Sequence, residues 1–76
     1  MYIEINLSIE KSGGEENLPK VIEAVKEAVS GKFPDAEVIV RKGFFKTIDG
    51  VYSDDLYAEG EARQLVKIVR ERVLKS

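Results

Sequence analysis

The sequence predicts an α+β two-layer sandwich: a three-stranded mixed sheet, ordered β-α-β-β-α along the chain, with both helices on one face. Three observations predict it. Residues 1–10 alternate apolar and polar at period two, so one face of that strand is buried and the other meets water. Two later segments repeat aliphatic residues at the helical period, each with a single buried stripe. The chain has 76 residues, enough to close one core and bury roughly 60% of the unfolded surface. It therefore reads as one domain, residues 1–76.

The first strand spans Met1 to Glu10. Ile3, Ile5, Leu7 and Ile9 fall on one face, and Glu4, Asn6, Ser8 and Glu10 on the other. Lys11 to Glu16 is a turn marked by Gly13-Gly14, the residues that best tolerate a left-handed backbone. A helix follows. Its expected N-cap is Asn17, or Leu18 with Pro19 at the first helical position, where a missing N–H costs nothing. Leu18, Ile22, Val25 and Val29 form the stripe, widened by Val21, Ala24 and Ala28. Ser30-Gly31 stops the helix, with Gly31 as a left-handed cap, and Pro34 prevents its continuation.

Glu37 to Ile48 and Val51 to Glu59 read as a hairpin. Asp49-Gly50 is a strong signal for a two-residue primed turn, which needs positive φ at both positions. That register pairs Thr47 with Tyr52 and Phe45 with Asp54. One extra residue at Lys42-Gly43, a β-bulge, is needed to bring Val38 and Val40 onto the same face as Phe45, Tyr52, Leu56 and Ala58. Gly60 ends the third strand and Glu61 opens the last helix. Ala62, Val66, Val69 and Val73 make its buried stripe, and Arg63, Lys67 and Arg70 stand on the far side. The first crossover is expected to be right-handed, with the first two strands parallel. Strand order stays open: either the first or the third strand is central.

The residue inventory narrows the chemistry. Cysteine and histidine are both absent, which removes disulfides, thiolate sites, the commonest general base and the commonest transition-metal ligand. Six Ser and Thr outside any helix or at its end lack a histidine to activate them. Asp49, Asp54 and Asp55 match no calcium-loop spacing. Gly13-Gly14 precedes a helix, but the Lys-Ser/Thr of a phosphate loop is missing. No enzyme activity, metal or cofactor is expected. No long apolar run spans a membrane and no export leader is seen; the location is left open, and is cytoplasmic if the chain is expressed.

Two surfaces remain as candidate binding sites. The net charge is −2, yet residues 61–76 carry Arg63, Lys67, Arg70, Arg72 and Lys75 against Glu61 and Glu71, a net +3. Arg63, Lys67 and Arg70 share a helical face that suits phosphates or an acidic partner. The uncovered sheet face presents Ile39, Phe44, Ile48, Val51 and Tyr57 beside Arg41, Lys46, Asp55 and Glu59. Aromatics among cations on an open sheet are used by RNA-recognition sheets to stack bases; the acidic neighbours argue against nucleic acid here and leave a protein partner. The candidate binding surface is thus Arg41, Phe44, Lys46, Tyr57, Arg63, Lys67 and Arg70.

Met1-x-Ile-Glu-Ile5, Leu18-Pro19, and Phe33-Pro34-Asp35 followed by Val38-x-Val-Arg41 resemble the DinI family, small bacterial DNA-damage-response proteins that bind RecA filaments. The resemblance covers residues 1–41 and the layout beyond them, and implies a βαββα fold. That family has an acidic last helix, thought to mimic DNA charge on RecA. The matching helix here is basic, so the fold is carried over and no RecA-binding residue is. A further reading fits the regular patterning. Agreement of strand period, helix period, turn and stop signals is what a designer imposes. It makes the chain a designed, monomeric α/β structural protein without evolved activity. The alternative is a small non-enzymatic binding module using the open sheet face or the basic helix.

Overall fold

The computed structural model describes residues 1–76. Strand β1 (Tyr2–Leu7) leads through helix α1 (Leu18–Lys32) to β2 (Glu37–Lys42), followed by β3 (Gly50–Ser53) and helix α2 (Leu56–Lys75). The sheet order is β2-β1-β3, with β1 parallel to β2 and antiparallel to β3. Both helices pack on one face, giving the α+β two-layer sandwich.

The alternation of β1 decides the layers. Ile3, Ile5 and Leu7 are fully buried beneath the helices, while Tyr2, Glu4 and Asn6 stay on the uncovered face. Leu18, Val21, Val25 and Val29 of α1, Val51 of β3, and Ala58, Ala62, Val66 and Val69 of α2 complete the core. Each buried Val, Leu or Ile side chain contributes about 1.5–3 kcal/mol. Val38 and Val40 of β2 pack against the same core.

The hairpin expected at Asp49-Gly50 does not form. Positive φ occurs only at Gly13 and Gly14, so the backbone a primed turn needs is absent. β3 pairs instead with β1, placing Val51 opposite Ile5 and Tyr52 opposite Glu4. Residues 43–49 pass the end of β1 to reach its far edge. The reason lies in β1, the only strand with three fully buried side chains. Pairing both of its edges puts that apolar row under both helices. A hairpin on β2 would have left one edge of the most apolar strand bare.

Several residues are reassigned as a consequence. No bulge exists at Lys42-Gly43, because β2 ends there. Phe45 and Tyr52 are exposed instead of facing the helices. Leu56 and Ala58 belong to α2, which starts at Leu56 and not at Glu61. The Asp55 carboxylate accepts a hydrogen bond from the Ala58 N–H at 2.9 Å, a side-chain N-cap that opens the helix early. Gly60 is therefore helical, and with Glu59 included the helix carries a net +2.

α1 follows its expected stripe, with Pro19 in the first turn. Its ends differ from expectation. The Asn17 amide donates to the Gly13 carbonyl at 2.8 Å and caps no helical N–H. Gly31 is helical, and the Phe33 N–H closes the last turn on the Val29 carbonyl at 2.9 Å. β1 also ends sooner than its alternation suggests. Beyond Leu7 the main chain turns, and Ser8 and Ser12 are buried.

Candidate functional site

The centre of the uncovered face is polar and internally satisfied. The Tyr2 hydroxyl, the Asn6 amide and the Arg41 guanidinium all donate to the Glu4 carboxylate. Arg41 also donates to the Asn6 carbonyl oxygen at 3.0 Å. These donors, Tyr2 first, hold the Glu4 carboxyl below its usual range, and the same contact raises the Tyr2 phenol. A network with every group engaged offers a ligand little beyond exchange of partners.

The end of that face is different. Phe44 is fully exposed, and Phe45, Ile48 and Tyr52 are exposed at 68%, 60% and 56%. Together with Asn6 and Gly50 they line a shallow cavity of about 160 Å³. The Tyr52 ring lies over Gly50: a Cβ there would sit 2.9 Å from the ring, so only glycine admits this pose. A second cleft, between Arg41, Lys42, Gly43 and Phe44, adjoins the first and shares the Phe44 blade. Phe44 thus divides an apolar hollow from a cationic one. Lys42 pairs with Glu15 at 3.3 Å, and the Lys46 side chain carries no ion pair.

This exposed segment is anchored at its back. The Asp49 carboxylate accepts from the Ser8 N–H at 2.7 Å and from Arg70 at 2.8 Å. The Asp49 and Arg70 side chains are only 17% and 11% exposed. Burial opposes the Asp49 charge, but the Arg70 and Ser8 donors outweigh it and hold the carboxyl below its ordinary value. The Ser8 hydroxyl donates to the Lys46 carbonyl, and the Glu10 N–H reaches the same oxygen at 3.1 Å.

The structure brings Arg41 and Phe44 together at this end of the sheet. Lys46 is exposed on the same segment but lines neither hollow, and the other expected residues lie apart. Tyr57 lies in the first turn of α2, exposed but off the sheet. Arg63 donates to the Val51 carbonyl at 3.1 Å and lies 3.8 Å from Glu59. Lys67 is exposed beside it. Arg70 is not on the far side of its helix: it is buried and engaged with Asp49, which removes it from the basic stripe. Val51 is in the core and Glu59 is helical, so neither faces the open sheet. Sequence reasoning missed Phe45 and Tyr52 because the hairpin register sent both inward. The Asp49–Arg70 pair is not legible in the sequence, where Asp49 reads as a turn former or a candidate cation ligand, because its partner is 21 residues away on α2.

The three aspartates considered for a cation each have a structural partner: Asp49 holds Arg70, Asp54 accepts the Tyr2 N–H at 2.9 Å, and Asp55 caps α2. No helix is long and apolar enough to cross a membrane. Comparison with protein-family models, curated proteins and solved structures finds no match.

Proposed function

We propose that this chain is a small non-enzymatic binding module that takes a protein partner on the Phe44, Phe45, Ile48 and Tyr52 cluster. The observation that supports this reading is the complete exposure of Phe44 in a cluster of four large apolar side chains. Contiguous exposed apolar surface in a small domain marks contact sites, and aromatics with Arg at their edge are typical binding anchors. Arg41 and Lys42 line the cleft beside Phe44; each is paired within the chain, to Glu4 and Glu15, so an acidic group beside the partner's apolar anchors would exchange with those carboxylates. The polar network behind it holds the sheet rigid without competing for the partner.

The DinI-like layout offers one partner to try, a RecA filament, although the basic α2 has the opposite charge to that family's last helix. The test is an NMR titration of the labelled chain with RecA filaments and, separately, with an RNA oligonucleotide, followed by affinity capture from bacterial extract. Saturable shifts confined to residues 41–52, lost in Phe44→Ser, are expected for a protein partner. Capture unchanged by Phe44→Ser and Tyr52→Ser together would overturn the reading.

A designed structural protein is the second reading, favoured by the regular patterning of β1 and α1. It expects cooperative unfolding and no saturable ligand in the same titrations. Fully exposed Phe44 is the feature it does not account for, since a design made only for stability avoids exposed aromatics.

A further inference from the structure

The two edges of the sheet are finished differently. β3 has four residues, and its outward Val51 carbonyl is taken by Arg63. β2 has six residues and pairs only with β1. The Glu37 and Gly43 N–H groups both point to β1, bonding Met1 and Leu7 carbonyls at 2.8 and 3.0 Å. By the period of a strand, Val38, Val40 and Lys42 then direct their N–H and C=O groups outward. No side chain or loop of the chain bonds them. An edge of this length left open is a template for another strand.

We propose that β2 pairs antiparallel with β2 of a second copy about a two-fold axis at Ile39, joining two sheets into one of six strands. The residues of β2 select this occupant and this register. Antiparallel partners must share a face, so a one-residue slip is forbidden. With Ile39 opposite Ile39, each Val38 exchanges both main-chain hydrogen bonds with Val40 of the second copy. Those two residues are the helix-facing apolar pair of β2. On the open face, each Glu37 falls opposite Arg41 of the second copy; that guanidinium bonds Glu4 and Asn6 through two of its nitrogens and is still 59% exposed, so the strand complements its own charge. A two-residue shift one way sets Glu37 against Gly43 and Arg41 against Ile39 and loses both ion pairs; a shift the other way sets Glu37 against Ile39 and leaves Arg41 facing only Asp35, which lies in the turn before the strand. A self-complementary patch is what a two-fold interface requires. The contact is small and belongs to the weak, transient class. It departs from the monomer expected from the sequence, and it shares only Arg41 with the edge of the aromatic cluster.

The test is sedimentation velocity of the full chain from micromolar to millimolar concentration. The mass is expected to rise from 8.5 kDa toward twice that value. Glu37→Arg and Arg41→Glu each place like charges opposite one another and are expected to weaken the dimer about tenfold. Mixing the two variants restores both ion pairs, so the mixture is expected to dimerise more tightly than either variant alone. Register is read with single cysteines, the chain having none of its own. Residues facing each other across a non-hydrogen-bonded pair have Cα atoms about 4.5 Å apart, within disulfide reach. Ile39→Cys is therefore expected to oxidise to a covalent dimer, while Glu37→Cys, equally on the open face, stays monomeric. A chain that remains 8.5 kDa at millimolar concentration overturns the proposal. So does a variant mixture no heavier than its components, or Glu37→Cys crosslinking as fast as Ile39→Cys.

Discussion

Residues 8–17 and residues 43–49 both leave the sheet at the end where β1 and β2 finish, yet they use their side chains in opposite ways. The first segment is folded inward. Ser8 and Ser12 are buried, Gly13 and Gly14 take positive φ, and main-chain hydrogen bonds run from Ser12, Gly13 and Gly14 to Ser8, Ile9 and Glu10. The second segment is thrown outward, with Phe44, Phe45 and Ile48 in solvent. It is held by Asp49 and by the Lys46 carbonyl, both of which grip the first segment at Ser8. One irregular segment thus serves as the foundation of the other: its buried polar residues position apolar ones outside.

The largest expected effect comes from breaking the joint between them. Asp49→Ala leaves Arg70 without its partner in a mostly buried setting. The loss is about 2 kcal/mol, below that of a fully buried pair because one edge still reaches water. Urea denaturation measures it, and a loss under about 0.5 kcal/mol would show that the joint is solvated and structurally idle. The same pair has a pH signature. The folded Asp49 carboxyl lies below its unfolded value, so its contribution is fully present above an ordinary aspartate pKa of about 3.9. It is lost as pH falls through the lower folded value. Between neutral pH and pH ~2 the parent is therefore expected to lose more stability than Asp49→Asn, and parallel curves would assign the acid sensitivity elsewhere.

Changes within the inward segment come next. Gly13 has φ +79°, and a Cβ there would stand 2.8 Å from Leu74 Cδ2. Gly13→Ala is expected to cost about 1–2 kcal/mol, read as a lower Tm, and Gly14→Ala less, because nothing lies within 4 Å of its added methyl. Ser12 Oγ is buried without a hydrogen-bond partner. Ser12→Ala is therefore expected to raise stability by about 0.5–1 kcal/mol, and a destabilised variant would show that this hydroxyl is in fact bonded.

The smallest effect on stability belongs to the outward segment. Phe44→Ser touches no core residue and is expected to change stability by less than about 0.5 kcal/mol. A loss of more than about 1 kcal/mol would mean that Phe44 packs in solution and is no free anchor. This variant also removes the proposed partner's main contact, so stability and binding separate cleanly at one position.

Much of the fold was legible because it rests on local periodicity. The alternation of Ile3, Ile5 and Leu7, the stripe from Leu18 to Val29 and the stripe from Ala62 to Val73 each declare an element and its buried face within a few residues. The surface candidates were legible only in part. Arg41 and Phe44 lie together at the end of the sheet, while Tyr57, Arg63, Lys67 and Arg70 lie on α2. Phe45 and Tyr52 were sent to the wrong face by a turn signal that tertiary pairing overrode. The two readings of Asp49-Gly50 are equally good locally: a primed turn, or an irregular exit whose carboxylate serves another element.

Local periodicity is enough to place β1, α1 and the buried stripe of α2 and to show which face of β1 is dry, since a side chain's direction follows from its position in a regular period. Only the tertiary structure decided that β1 lies between β2 and β3, that α2 begins at the Asp55 cap, and that Arg70 turns inward to Asp49. Those outcomes depend on residues far apart in the chain competing for the same strand edge, the same N–H group or the same charge. A competition of that kind is settled by which complete packing buries more apolar surface and leaves fewer polar groups unpaired.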